Sequence, residues 1–187
     1  MGLFDIFKKK KAATPDYTNL TPMDMDVGYI FDYDLSTWTV DEVFVYDWGN
    51  DFFSKEFQVN NSKYTAYLSV EQDDELVMAM TRKVKIRAID ENLPEYITSH
   101  KAPPPKITYQ GIDMLLDKEA PGYCGKMDMP DEDWKEFISW DYYDKNDDFV
   151  LTIEQWDENT FEAAFGKVVK YFQVSNIFPN PELNTDI

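Results

Sequence analysis

From Val27 onward the apolar residues fall in short runs rich in aromatic and β-branched side chains, each cut off by turn-forming residues. That rhythm fits antiparallel strands joined by tight connections, with little helix. Tyr29-Ile30-Phe31 opens the series, and Trp38-Thr39-Val40 runs on into Val43-Phe44-Val45-Tyr46. Gly49-Asn50-Asp51 is a turn signal. Phe53, Phe57 and Val59 mark the next strand, which ends at Asn60-Asn61-Ser62-Lys63. Tyr64, Ala66, Leu68 and Val70 then share one side of a strand, with Thr65, Tyr67 and Ser69 on the other. Asp73-Asp74 breaks it, and Leu76 to Ile89 reads as a strand pair or one bent strand.

Residues 92–106 hold Pro94 and the triplet Pro103-Pro104-Pro105, a stiff connector between two units. The second unit begins at Ile107 and repeats the rhythm. Leu115-Leu116 and Tyr123-Cys124 flank an expected turn at Pro121-Gly122, and one helical turn or a loop is expected at Asp131 to Trp134. Strands follow over Phe137 to Tyr143, Phe149 to Trp156 and Thr160 to Phe165, and Val168 to Phe178 closes the unit. Sliding the first half along by 94 residues sets Tyr46 on Trp140, Asp47 on Asp141, Trp48 on Tyr142 and Phe57 on Leu151 without a gap. The expected fold is therefore mainly β: two related antiparallel meander units, an internal duplication, forming a sandwich or barrel-like body. Its parts are residues 1–21 (a basic amphipathic segment and linker), 22–91 (first unit), 92–106 (connector) and 107–187 (second unit).

Charge narrows the partners. The 187 residues carry 36 Asp and Glu against 18 Lys and Arg, a net −18. Such acidity argues against a nucleic-acid binder, since phosphates would be repelled. It favours a basic protein or a polyamine-like ligand as partner. With 43% hydrophobic residues the chain is no disordered polyanion. The single cysteine, Cys124, rules out an intramolecular disulfide framework and points to a reducing compartment.

One segment reverses the charge. Leu3, Phe4, Ile6 and Phe7 lie on or near one side of a short helix, followed by Lys8, Lys9, Lys10 and Lys11. The apolar part precedes the lysines and is too short for a secretory signal or a spanning helix. The acylation motif starting at Gly2 requires Ser or Thr where Ile6 stands, so myristoylation is not expected. An anionic membrane surface would attract this segment, each lysine contributing about 1 kcal/mol. A solubilising tail and a docking helix for a protein groove are the other readings.

Catalytic signatures are missing. The lone His100 sits two residues before the proline triplet, Cys124 reads as a buried structural thiol, and no phosphate-binding glycine loop is present. Asp144-Lys145-Asn146-Asp147-Asp148 imitates the start of a calcium loop, but Phe149 and Gln155 stand where Gly and Glu are required, so a hairpin explains it better. Neither metal nor cofactor is expected. Trp38, Trp48, Trp134, Trp140 and Trp156 could form a cation platform, although core packing is the commoner use. The sharpest candidate is the pair of repeat-equivalent dipeptides, Asp47-Trp48 and Asp141-Tyr142. Each joins a carboxylate to a ring and suits a basic or polyamine-like group.

Val27-Gly28-Tyr29-Ile30, Trp38-Thr39-Val40-Asp41-Glu42-Val43, Tyr46-Asp47 and Tyr67-Leu68-Ser69-Val70-Glu71 stand in the first half. Ile107-Thr108-Tyr109-Gln110-Gly111, Trp140-Asp141-Tyr142-Tyr143, Leu151-Thr152-Ile153-Glu154-Gln155-Trp156 and Phe165-Gly166 stand in the second. Together, over about residues 25–178, they resemble an uncharacterised bacterial family known as a domain of unknown function. Its members are often encoded beside phage-shock-protein-A-like membrane-remodelling proteins and polyamine-metabolism enzymes. The resemblance implies a bacterial cytoplasmic protein in an envelope-stress setting and supplies no catalytic residues. The expected function is thus a non-enzymatic partner-binding module at the periphery of the inner membrane. An acidic inhibitor or immunity protein, directed at a basic toxin or mimicking nucleic acid, is one alternative, and it requires carboxylates gathered on one face. A carboxylate-based enzyme is the other, and it requires a deep pocket with two converging acids.

Overall fold

The computed structural model describes residues 19–180. The first half contributes β1 (Tyr29–Tyr33), β2 (Ser36–Asp47), β3 (Phe53–Asn60), β4 (Thr65–Gln72) and β5 (Leu76–Val84). Two short helices follow, α1 (Ile86–Ile89) and α2 (Leu93–His100). The second half contributes β6 (Lys106–Tyr109), β7 (Ile112–Lys126), β8 (Lys135–Asp144), β9 (Phe149–Asp157) and β10 (Thr160–Val169), and β11 (Ser175–Pro179) ends the sheet. The turns after β2, β3, β4 and β8 lie where expected. In the β8–β9 hairpin the buried Asp144 carboxylate accepts the backbone N–H groups of Asn146, Asp148 and Phe149, which explains the calcium-like spacing as turn chemistry.

All pairings are antiparallel, and the two halves form one continuous sheet. The long strands β2 and β7 make this possible, because each serves two partners along one edge. Ser36–Thr39 of β2 pair with β1, whereas Phe44–Asp47 pair with Tyr123–Lys126 of β7. Ile112–Leu115 of β7 pair in turn with β6. On the far side β5 pairs with β10. The ring β2-β3-β4-β5-β10-β9-β8-β7 is therefore an eight-stranded closed antiparallel barrel, with β1, β11 and β6 outside it.

Both faces of the barrel wall are covered. On the outer face of the first half, Phe57, Val59, Leu68, Val70, Met78 and Met80 are buried together with Phe31 of β1, Met25 and Val174. On the outer face of the second half, Trp140, Tyr142, Leu151 and Ile153 pack with Leu93 and Ile97 of α2, Ile107 of β6 and Met114. Met78, Ala79, Met80 and Thr81 of β5 are buried in succession, as a strand covered on both sides must be.

Four sequence expectations are corrected. Residues 92–106 are no bare connector: Pro94 sits in the first turn of α2, where a missing N–H costs nothing, and Leu93 and Ile97 are buried. The following prolines are anchored too, since the carbonyl of Pro104 accepts the Tyr142 hydroxyl and that of Pro105 accepts the Leu116 N–H. Leu76 to Ile89 is strand only to Val84, after which Ile86 and Ile89 of α1 pack on the second outer core. Pro121-Gly122 is not a turn but lies inside β7, pairing with Ile138 and Phe137. There the other edge of β7 is paired neither to β6 nor to β2, so proline breaks no ladder. A Cβ at Gly122 would come within 2.9 Å of the Asp47 carbonyl oxygen, so this glycine serves close approach rather than turning. Finally, the order short-long-three repeats in the two halves and sets β2 against β7. The shift of 94 residues sets β2 against β8 and so runs one strand out of step with that order.

Gly166 lies in the β5–β10 seam opposite Thr81, and a Cβ there would overlap the Met80 carbonyl oxygen and the Thr81 backbone. Gly166→Ala is expected to lower the unfolding free energy by about 1–3 kcal/mol, read from urea denaturation. An unchanged midpoint would mean that the seam is not closed as described.

A polar lumen lined by acids

Adjacent residues on a strand point to opposite faces, and the inward phase of this barrel mixes polar side chains with Val77, Tyr143 and Val150. Ser54 and Glu56 of β3, Ser69 and Glu71 of β4, and Ala79, Thr81 and Lys83 of β5 face Ser139 and Asp141 of β8 and Thr152 and Glu154 of β9. Contacts between strands that are not neighbours show that this face is the interior. Lys83 of β5 lies 3.9 Å from Glu154 of β9, and Lys118 of β7 lies 3.3 Å from Glu71 of β4. Large side chains would fill an eight-stranded lumen. Here serine, alanine and threonine leave a cavity of about 100 Å³, room for several waters or a small ligand. Tyr46, Phe137 and Cys124 form an aromatic cluster with Trp48 and Trp156 beside it.

Four carboxylates, Glu56, Glu71, Asp141 and Glu154, line the cavity. Two lysines answer them. Lys83 spends its closest contact, 2.9 Å, on Glu162 of β10, and these two side chains are 34% and 49% exposed, so this end of the lumen reaches solvent. Lys118 pairs with Glu71 and lies 5.4 Å from the centre of the Trp48 ring. Hydroxyl donors are committed as well. Thr152 donates to Asp141 at 2.7 Å, Tyr46 to Glu56 at 3.3 Å, and the Trp48 ring N–H to Ser54 at 2.8 Å.

Glu154 is left out. It is 7% exposed, and its Oε2 has no hydrogen-bond partner. Removal from water, only partly offset by Lys83 and reinforced by Glu56, pushes its carboxyl up to about 8. Burial also lifts Glu56 and Asp141 above the ordinary carboxylate range. Burial works against the charge on Lys83, yet Glu56, Glu154 and Glu162 outweigh it and hold the ammonium well above its usual range. Burial, with Glu154 nearby, pushes the Cys124 thiol up to about 12, so it is a packed side chain rather than a nucleophile.

The expected site residues separate by strand phase. Trp48 and Asp141 reach the lumen. Tyr142, next to Asp141, points the opposite way, is fully buried in the outer core, and donates to the Pro104 carbonyl. The Asp47 carboxylate caps the following turn by accepting the Gly49 N–H. The tryptophans do not form one platform: Trp38 and Trp140 are buried in different outer cores, and Trp134 lies against Gly125. His100 is exposed on α2, stacked on Tyr96. Leu3, Phe4, Ile6, Phe7 and Lys8 to Lys11 lie outside the described residues. Among the described residues no cluster of His, Cys, Asp and Glu suits a metal ion, and no helix is long and apolar enough to cross a membrane.

Residues 26–170 match the family described as domain of unknown function DUF4178, and the chain belongs to that family. An uncharacterized protein of Aquifex aeolicus (strain VF5) is 22% identical over 176 residues, covering 93% of this chain and 94% of its own. No solved structure matches.

A carboxyl raised from an ordinary 4.5 to about 8 keeps in the folded chain a proton that the unfolded chain has lost. Stability is therefore fullest below about pH 4.5 for this group and falls as pH rises towards 8. Glu154→Gln should flatten that part of the decline in urea midpoints measured from pH 5 to 8. Parallel profiles for the two proteins would show Glu154 to be ionised throughout.

Proposed function

We propose that this member of a family without an assigned function is a non-enzymatic binding module whose lumen takes the ammonium group of a small amine. The observation that carries the reading is Glu154 Oε2, a buried acceptor with no protein donor, on a residue that lines one cavity with Glu56, Glu71 and Asp141. A primary ammonium brings three donors and no acceptor. Hydrogen bonds between ionised groups are about twice as strong as neutral ones. The placement of Lys118 near Trp48 supports the same chemistry, because a ring face in this lumen already tolerates an ammonium. The cavity volume favours a ligand of few heavy atoms, or one end of a longer chain.

On this reading the basic segment at residues 2–11 serves location rather than recognition. It would hold the acidic barrel beside anionic lipid at the cytoplasmic face, and it precedes the residues that the family shares. A second reading, a carboxylate enzyme, is favoured by one feature. Glu154, held near 8, lines the same cavity as Asp141, which would suit an acid–base pair. The inhibitor reading has less support, since the most perturbed carboxylates turn inward rather than onto a partner-facing surface.

Isothermal titration with n-propylamine hydrochloride, against n-propanol as the uncharged control, tests the reading. The amine is expected to bind and the alcohol not, and Glu154→Gln to weaken the amine roughly 10- to 100-fold, as loss of a charged hydrogen bond would. No heat with the amine, or equal binding by the variant, would overturn it. For location, flotation with anionic but not neutral vesicles, lost when the chain starts at Ala12 and weakened by salt, is the expected outcome. Failure to float would remove the membrane part and leave the lumen untouched.

A further inference from the structure

The charges that face Glu154 come from every side of the lumen. Glu56 faces it from β3, Asp141 from β8 and Glu162 from β10, and Lys83 of β5 supplies the nearby positive charge. Tyr46 of β2 and Cys124 of β7 complete the titratable neighbours, both held in their neutral forms by burial. The nearby hydroxyls and the short contact of Lys83 are already committed. The Tyr46 hydroxyl goes to Glu56, the Thr152 hydroxyl to Asp141, and the Lys83 ammonium makes its short contact with Glu162, leaving Glu154 at 3.9 Å, beyond hydrogen-bond reach.

An anionic carboxylate in that position would receive no protein donor at Oε2 and would stand among like charges. The protonated acid carries its own donor and no charge, so it suits the empty lumen. An incoming ammonium reverses the preference, because it supplies both the missing donors and the missing positive charge.

We infer that the lumen exchanges a proton for its cation: Glu154 holds a proton while the cavity is empty and gives it up when an ammonium group enters. The O–H bond of the Glu154 carboxyl breaks and its proton passes to solvent. The ligand arrives with its own proton on nitrogen, and the lumen's total charge is unchanged. This rests on the reading of the lumen as an amine site and adds to it a dependence on pH. Occupancy rises with pH through the neutral range and falls in acid, so the protein would release its ligand on acidification.

Titration of the full chain with n-propylamine hydrochloride, in buffers of different ionisation enthalpy, counts the protons released. At pH 6.5 the expected release is close to one per amine bound, falling towards zero at pH 9. Below the midpoint, affinity should improve about tenfold per pH unit. Glu154→Gln should release no proton in the same buffers. Should that variant bind too weakly to titrate, infrared difference spectra provide the second readout. Amine addition should abolish the C=O stretch of a protonated carboxylic acid in the natural protein, and the Glu154→Gln spectrum should lack that loss. Binding without proton release, or the same carboxyl signal in the variant, would overturn the exchange and leave amine binding standing. Absence of binding at every pH would overturn both.

Discussion

Backbone pairing of Phe44–Asp47 with Tyr123–Lys126 closes the barrel, and the character of its interior follows from that closure. Without this seam, β2 and β7 would each present an open edge to solvent, and the sheet would be a long curved ribbon with one wet face. With it, the wet face becomes a lumen. Ser54, Glu56, Ser69, Glu71, Thr81 and Lys83 are then held opposite Ser139, Asp141, Thr152 and Glu154, residues 56 to 100 positions away in the chain. The close approach is secured by glycine: Gly122 lets β7 lie against the Asp47 carbonyl and the Trp48 ring, and Gly166 does the same for β10 against β5.

The same closure explains what could be read in the sequence. Strands were legible wherever a short-range signal exists. The alternation of Ala66, Leu68 and Val70 with Tyr67 and Ser69 is a strand with one apolar face, and β4 runs over those residues. The hairpin at Asp144 to Phe149 was legible for the same reason, since its turn chemistry is local. The helix α2 was not, because its buried side chains are only Leu93 and Ile97, and the prolines around them resemble a linker. Pro121-Gly122 misled because the open edge that tolerates it is a property of the assembled sheet.

The candidate site was half legible. The 94-residue shift links Asp47-Trp48 with Asp141-Tyr142, yet neighbours on a strand face opposite ways, so each dipeptide can send at most one side chain inward. Trp48 and Asp141 are those two. Glu154, Glu56 and Lys83 escaped notice for a different reason. In β9 the series Val150, Thr152, Glu154 alternates with Leu151 and Ile153, and such a polar phase normally means solvent. Only closure turns it inward, and no local pattern announces closure.

An acidic lumen costs stability, because carboxylates are taken from water with too few partners. This barrel tolerates that cost because its apolar packing lies elsewhere. In a small barrel the lumen ordinarily is the hydrophobic core. Here Phe57, Leu68, Met78 and Phe31 are buried on one outer face under β1 and β11. Trp140, Tyr142, Leu151 and Ile153 are buried on the other beneath α2 and β6. The elements outside the ring thus carry the packing that the interior gives up. That division accounts for features with little in common in the sequence: a proline-bounded helix, short edge strands, and successive buried residues in β5. It also separates two kinds of failure. A substitution in an outer core removes apolar burial and threatens the fold, whereas a conservative change at Glu154 removes an acid that the fold does not need. Glu154→Gln keeps the shape of the side chain and relieves a buried acid. A loss of binding in that variant, without a loss of stability, therefore speaks to function alone.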